Sequence, residues 1–293
     1  MAQLNEGIKE GSELERLIKE KLKLMDSVDD VFLDDIKQTQ NAILRRVNGL
    51  LSKFDVEGGR LVNSETNRTL LIQLRKDVRA IVRKSSYSSK IDAYLRNFDT
   101  ITELTEKIHL EGNDLKLSKV SINPLKQEAI DNVVKGLSAP DSIDIGFEKY
   151  IRDTVFNAVT LNQGYNETRQ QLKDLIAGTP QKHGQLERWV GQIARDAINQ
   201  YDGQINAQIA VEYELNAYRY VGSLVKDSRP QCVRWVGKQV LKFDELQSEI
   251  DWAKNKKNGR GFNDATTVQN FAIYRGGYNC RHAAIPFRLV EKT

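Results

Sequence analysis

Cys232, Cys280 and His282 are the residues whose types best suit chemistry, because thiolate sulfur and imidazole nitrogen are the donors zinc takes in a tetrahedral shell. Cys232 ends the segment Asp227-Ser228-Arg229-Pro230-Gln231-Cys232, and the other two lie in Gly276-Gly277-Tyr278-Asn279-Cys280-Arg281-His282. If these two loops converge they supply three ligands. A fourth would be Asp227, His183 or His109, and the spacing selects none of them. Two other readings stand beside zinc. The cysteines are buried thiols acting as small apolar side chains, or they form a disulfide, which a cytosol disfavours and a particle outside the cell permits. Zinc and disulfide alike require the closing segment to fold back onto the loop that ends at Cys232, bringing the sulfurs together.

A second candidate is electrostatic. Lys254, Lys256, Lys257 and Arg260 crowd one loop, Lys254-Asn255-Lys256-Lys257-Asn258-Gly259-Arg260-Gly261, where contacts to DNA phosphates need no base readout. The alternative is a solvated charged loop. Walker loops, GxSxG, HExxH and GxGxxG motifs are absent, and no carboxylate stands in an apolar setting that would tune it as an acid or base. The sequence therefore does not indicate an enzyme.

Charge is unevenly spread. The chain of 293 residues has 44 Lys+Arg and 40 Asp+Glu, a net +4. Residues 222–293 hold 13 of the cations and 7 of the acids, so the basic excess belongs to the C-terminal end. Two cysteines and three histidines exclude a cysteine-rich secreted scaffold and a multi-zinc protein. Residues 1–12 lack an apolar core of the kind secretion signals carry, and no window approaches the ~18 apolar residues of a membrane span. The expectation is a protein made in a cytosol, without a membrane partner.

The elements that must position these residues are mostly helices. Apolar residues recur at three and four through the first 221 positions. Ser12 and Glu15 make a capping box before Leu14, Leu17, Ile18 and Leu22. Those four apolar residues form a short terminal stripe, which either docks on a partner protein or completes the internal core. A second stripe runs from Val28 to Phe54 and stops at Gly58-Gly59, a third covers Leu70–Val82, and a fourth, after the turn-prone Ser85–Ser89, covers Ile91–Ile108. Asn123-Pro124 reads as a helix start, Phe147–Val159 as a further helix, Leu172–Ile176 as a shorter one ended by Gly178-Thr179-Pro180, and Gln185–Tyr220 as a long helix bent at Gly203. Beyond it, Arg219–Val225 and Trp235–Leu241 favour strand. The reading is a mainly α protein with an elongated N-terminal helical body at 1–184, a connecting helix at 185–221, and a small basic α+β module at 222–293.

The C-terminal 110 or so residues carry a resemblance. Ile193-Ala194-Arg195, the Ala/Gln/Tyr-rich helix after it, Tyr218-x-Tyr220-Val221, Asp227-Ser228-Arg229, Cys232 and the ending Tyr278-Asn279-Cys280-Arg281-His282-x-x-x-Pro286 resemble the minor head protein family of tailed bacteriophages, the Mu F-like head morphogenesis module. Asp196 stands where that family usually has Thr, Cys232 stands alone where many members have Cys-x-x-Cys, and His282 replaces the last cysteine. The resemblance implies a minor structural protein of the virion, at the portal vertex or inside the head, that assists head assembly, DNA packaging or DNA ejection. It implies portal or other head proteins as partners, contact with packaged double-stranded DNA, and host cytoplasm as the place of assembly. The alternatives are a DNA-binding protein or a toxin-like effector fused to such a module.

Overall fold

The computed structural model describes residues 8–84, 89–138, 143–277 and 280–290. The turn at 85–88 and Tyr278-Asn279 of the closing motif lie outside the described residues. The chain is mainly helical, with long helices through its N-terminal part and a small sheet module at its C-terminal end.

Two compact units form, and they are not consecutive in sequence: one comprises residues 1–28, 95–132 and 194–293, the other residues 29–94 and 133–193. They cut across the boundaries expected at 184 and 221. The physical reason is visible in the first unit, whose small sheet recruits the N-terminal helix to cover one of its faces.

In the second unit, α2 (Asp30–Leu51) packs on α3 (Glu65–Arg83) and α7 (Tyr165–Ala177), and α3 packs on α6 (Ile143–Thr160). Phe32, Ile36, Ile43 and Val47 of α2, Val78 of α3, Phe147 and Ile151 of α6, and Leu172 of α7 are fully buried at the three-and-four spacing of the sequence. The second stripe does not run unbroken from Val28 to Gly58-Gly59. Val28 caps the preceding helix, α2 ends at Leu51, and the two glycines instead turn a two-residue hairpin, β1 (Val56–Glu57) with β2 (Arg60–Leu61). A second hairpin, β3 (Gly178–Thr179) with β4 (Lys182–His183), follows α7.

In the first unit, α1 (Glu13–Ser27) is capped by Ser12, whose Oγ accepts from the Glu15 amide at 3.3 Å, while Glu15 Oε2 accepts from the Gly11 amide at 2.5 Å. With α1 stand most of α4 (Ile91–Asn113) and α5 (Lys119–Ser138), and the second half of α8 (Gln185–Glu212). Pro124 lies inside α5 rather than at its start. The hydrogen bond it forfeits would have ended on the Val120 carbonyl, and Val120 is exposed, so water can replace it. Helix α8 continues without interruption through Gly203, where a bend was expected. Gly203 instead admits the backbone of α11 (Phe271–Tyr274): a Cβ there would stand 2.4 Å from the Ala272 carbonyl oxygen.

The sheet is antiparallel in the order β6 (Val240–Lys242), β5 (Ala217–Val221), β7 (Ala283–Phe287), with Tyr218 facing Leu241 on one side and Pro286 on the other. Every residue of β5 and β7 is buried, because helices cover both faces. Tyr218, Tyr220 and Ala284 pack with Trp235 of α9 (Pro230–Lys238), Leu246 and Ile250 of α10 (Phe243–Lys254) and Phe271 of α11. On the opposite face Val221, Ala283 and Ile285 meet Leu14, Leu17 and Ile18 of α1 and Leu104 and Ile108 of α4. The segment Trp235–Leu241 is therefore mostly helix, not strand. Pro230 fixes the first helical φ, Cys232 and Trp235 then fall on one buried face, and Gln239 at φ +66° ends the turn before β6.

Candidate functional site

Three elements of the first unit converge on the cysteines. Strand β5 carries Tyr220, the first turn of α9 carries Cys232, and the segment entering β7 carries Cys280 and His282. The sulfurs are 4.0 Å apart, and Cys280 Sγ is 3.5 Å from His282 Nδ1. All three side chains are buried, and one ligand atom from each lies within 4.8 Å of the others. For comparison, bonds of about 2.3 Å to sulfur and about 2.0 Å to nitrogen in a tetrahedron place two thiolates about 3.8 Å apart, and a thiolate about 3.5 Å from an imidazole nitrogen. A disulfide would need about 2.05 Å between sulfurs. The spacing of free thiols fits ligation, so Cys232, Cys280 and His282 form a group that can hold a metal ion.

The surroundings act on the two sulfurs in opposite directions, and only Cys280 is favoured as the thiolate a metal needs. The S–H of Cys232 directed at Cys280 pushes the Cys232 thiol up and holds Cys280 well below the ordinary thiol range, with His282 adding to the second effect. Tyr220 places its hydroxyl 3.7 Å from Cys232 Sγ and 3.5 Å from Cys280 Sγ, and its ring stacks on His282 at 5.3 Å between centroids. Burial keeps that phenol protonated, its pKa pushed well above the usual value, so the hydroxyl is a donor toward sulfur. Gly276 is required by packing. A Cβ there would lie 2.4 Å from Cys232 Sγ and 2.9 Å from Cys280 Sγ. The Gly276 carbonyl in turn accepts from Arg229 Nη1 at 2.8 Å and Gln231 Nε2 at 3.1 Å, fixing the turn over the sulfurs.

None of the three fourth-ligand candidates joins this cluster. His183 belongs to the second unit, where it pairs with Glu187 at 2.8 Å. His109 is buried in α4 with Nδ1 2.9 Å from Asn113 Nδ2, and burial lowers its pKa to about 3. Asp227 is exposed at the rim of the cavity that the three ligands line.

The basic segment is more ordered than a flexible loop. Lys254 ends α10, and Asn255–Gly259 is a turn in which the Asn255 carbonyl accepts from the Asn258 and Gly259 amides at 2.8 and 2.9 Å. Arg260 is held by the Asp227 carbonyl at 2.8 Å and by Gln231, which brackets its backbone. Lys256 and Lys257 remain exposed in the turn.

The apolar stripe of α1, a candidate docking surface in the sequence, is packed inside the first unit rather than exposed. Leu14, Leu17 and Ile18 are buried against the sheet and α4, and Leu22 packs partly into the same cluster. They turn inward because β5 and β7 are too short and too apolar to leave one face to water.

Sequence reasoning missed a buried charged cluster in the same unit. Asp202 of α8 has no exposed side-chain surface and takes ion pairs from Lys21 of α1 and from Arg275 Nη1 at 2.9 Å, both 1% exposed. Burial alone would raise the Asp202 pKa, but Lys21 and Arg275 outweigh it and hold the carboxylate ionised. Lys21 also donates to Thr105 Oγ1 at 2.8 Å. Its signal was present in the sequence: position 21 follows 14, 17 and 18 on the apolar face of α1, so a lysine there implies an internal partner.

No family model, curated protein or solved structure matches the chain.

Proposed function

We propose that this chain is a minor structural protein of a tailed-bacteriophage virion, associated with the portal or the head interior and assisting head assembly, DNA packaging or ejection, and that a zinc ion on Cys232, Cys280 and His282 closes its C-terminal module. What supports this reading is the convergence of the residues that carry the resemblance. Although they are spread from position 193 to position 286, several of the described ones meet in the first unit. Tyr218 pairs with Pro286 across the sheet, Tyr220 touches both sulfurs, and Arg229 braces the Gly276 turn. A borderline-soft ion that accepts both thiolate and imidazole suits this donor set, which points to zinc over calcium or magnesium.

Mass spectrometry of purified particles from a phage encoding the chain tests the virion reading: the protein is expected in the particle at low copy, and its absence from DNA-filled heads refutes the assignment. Elemental analysis of the isolated protein tests the zinc. About one ion per chain is expected, lost in Cys232→Ser and in Cys280→Ser.

A further inference from the structure

Zinc bound by four protein ligands is closed and structural, whereas three protein ligands leave a position for something else. The Cys232, Cys280 and His282 side chains all line one cavity of about 620 Å³. Cys280 alone also borders a second cavity, of about 80 Å³, which therefore offers no direction common to the three ligands. The larger cavity, which all three residues border, is therefore where a fourth ligand would be placed. It is also lined by Arg229, Arg260 and Arg281, by Ser223 and Ser228 and, among the described residues, by one carboxylate, Asp227. Asp26 stands near Arg281 outside this lining. Two of the guanidinium groups are positioned by the backbone, Arg229 on the Gly276 carbonyl and Arg260 on the Asp227 carbonyl, each at 2.8 Å.

We infer that the metal on Cys232, Cys280 and His282 takes a phosphate group as its fourth ligand, with Arg229, Arg260 and Arg281 binding the remaining oxygens. The inference rests on the metal reading above. Three arginines against one carboxylate in the lining favour a dianion over a monoanion, and a guanidinium fork matches the edge of a tetrahedral oxyanion better than a lysine would. A phosphomonoester or free phosphate meets that description. An internal phosphodiester carries one charge and two substituents, and it would have to bring a chain to a buried metal.

The test uses the full chain stripped of metal and reloaded with cobalt(II), whose visible bands report thiolate ligation and the fourth ligand. Addition of inorganic phosphate is expected to shift the bands. Arg281→Ala and Arg260→Ala, both at exposed positions, are expected to take up cobalt normally and to bind phosphate about tenfold more weakly each. Oligonucleotides with a 5′-phosphate or a 5′-hydroxyl identify the source: a shift with the phosphorylated one alone assigns a nucleic-acid end, and a shift with inorganic phosphate alone assigns the free ion. Cobalt bands that millimolar phosphate leaves unmoved, or arginine variants that bind phosphate as tightly as the parent, overturn the inference while leaving the metal site intact. Failure to take up cobalt overturns the metal reading and this one with it.

Discussion

Replacing Asp202 by Asn keeps the shape of a buried side chain and removes its charge. In the parent, one carboxylate without exposed surface answers two cations that are each 1% exposed, Lys21 and Arg275. Asp202→Asn leaves both cations in a dry interior with no counter-ion. Losing one partner of a buried pair costs about 3–5 kcal/mol. That is a large part of the ~5–15 kcal/mol that holds a domain folded. With a urea m-value of about 2 kcal/mol/M, the midpoint should fall by about 2 M. Lys21→Met should cost less, about 1 kcal/mol, since Asp202 and Arg275 remain matched and Thr105 still bonds the Ile101 carbonyl at 2.7 Å. In the double variant only Arg275 is stranded, so its loss should be smaller than the sum of the two singles. Urea titration followed by tryptophan fluorescence measures this in a Trp189→Phe background, which leaves Trp235 and Trp252 of the first unit as reporters. A midpoint shift below about 0.5 M for Asp202→Asn, or a Lys21→Met variant equally damaged, would refute the charge-balance argument.

Three further outcomes follow from the same structure. Glu249 gathers Arg234, Trp235 and Lys238; burial would raise its pKa, but these donors hold it at about 2. Its contribution is therefore full above the unfolded value of 4.5 and is lost as pH falls toward 2, so Glu249→Gln should erase about 2 kcal/mol at pH 7 and little at pH 2, allowing for the partly exposed Arg234 and Lys238. Ile18→Ala should destabilise the isolated monomer by about 2–5 kcal/mol in thermal or urea unfolding, whereas an unchanged stability with lost particle incorporation would restore α1 as a docking helix. Duplex DNA should bind weakly and with steep salt dependence, and Lys256→Ala with Lys257→Ala should lower the log–log salt slope by about 2; binding insensitive to salt would exclude phosphate contacts at that turn.

Much of the helical content was legible because amphipathic spacing is local. The Ser12–Glu15 cap, the α3 and α4 stripes and the stop at Gly178 follow from neighbouring residues and appear where the sequence places them, whereas of the strand expected at Arg219–Val225 only Arg219 to Val221 is strand, in β5, and the long helix expected to reach Tyr220 ends at Glu212. The chemical types at positions 232, 280 and 282 also marked the site in advance. Tertiary structure decided what local pattern cannot encode. Whether Leu17 faces a partner or a sheet depends on strands about 200 residues away, and the burial of Lys21 depends on Asp202 and Arg275 coming from other elements. The cavity lined by Arg229, Arg260 and Arg281 is likewise a product of three separate turns meeting. Sequence determines which faces are apolar and which atoms can bond, but long-range packing determines which of those faces and atoms meet.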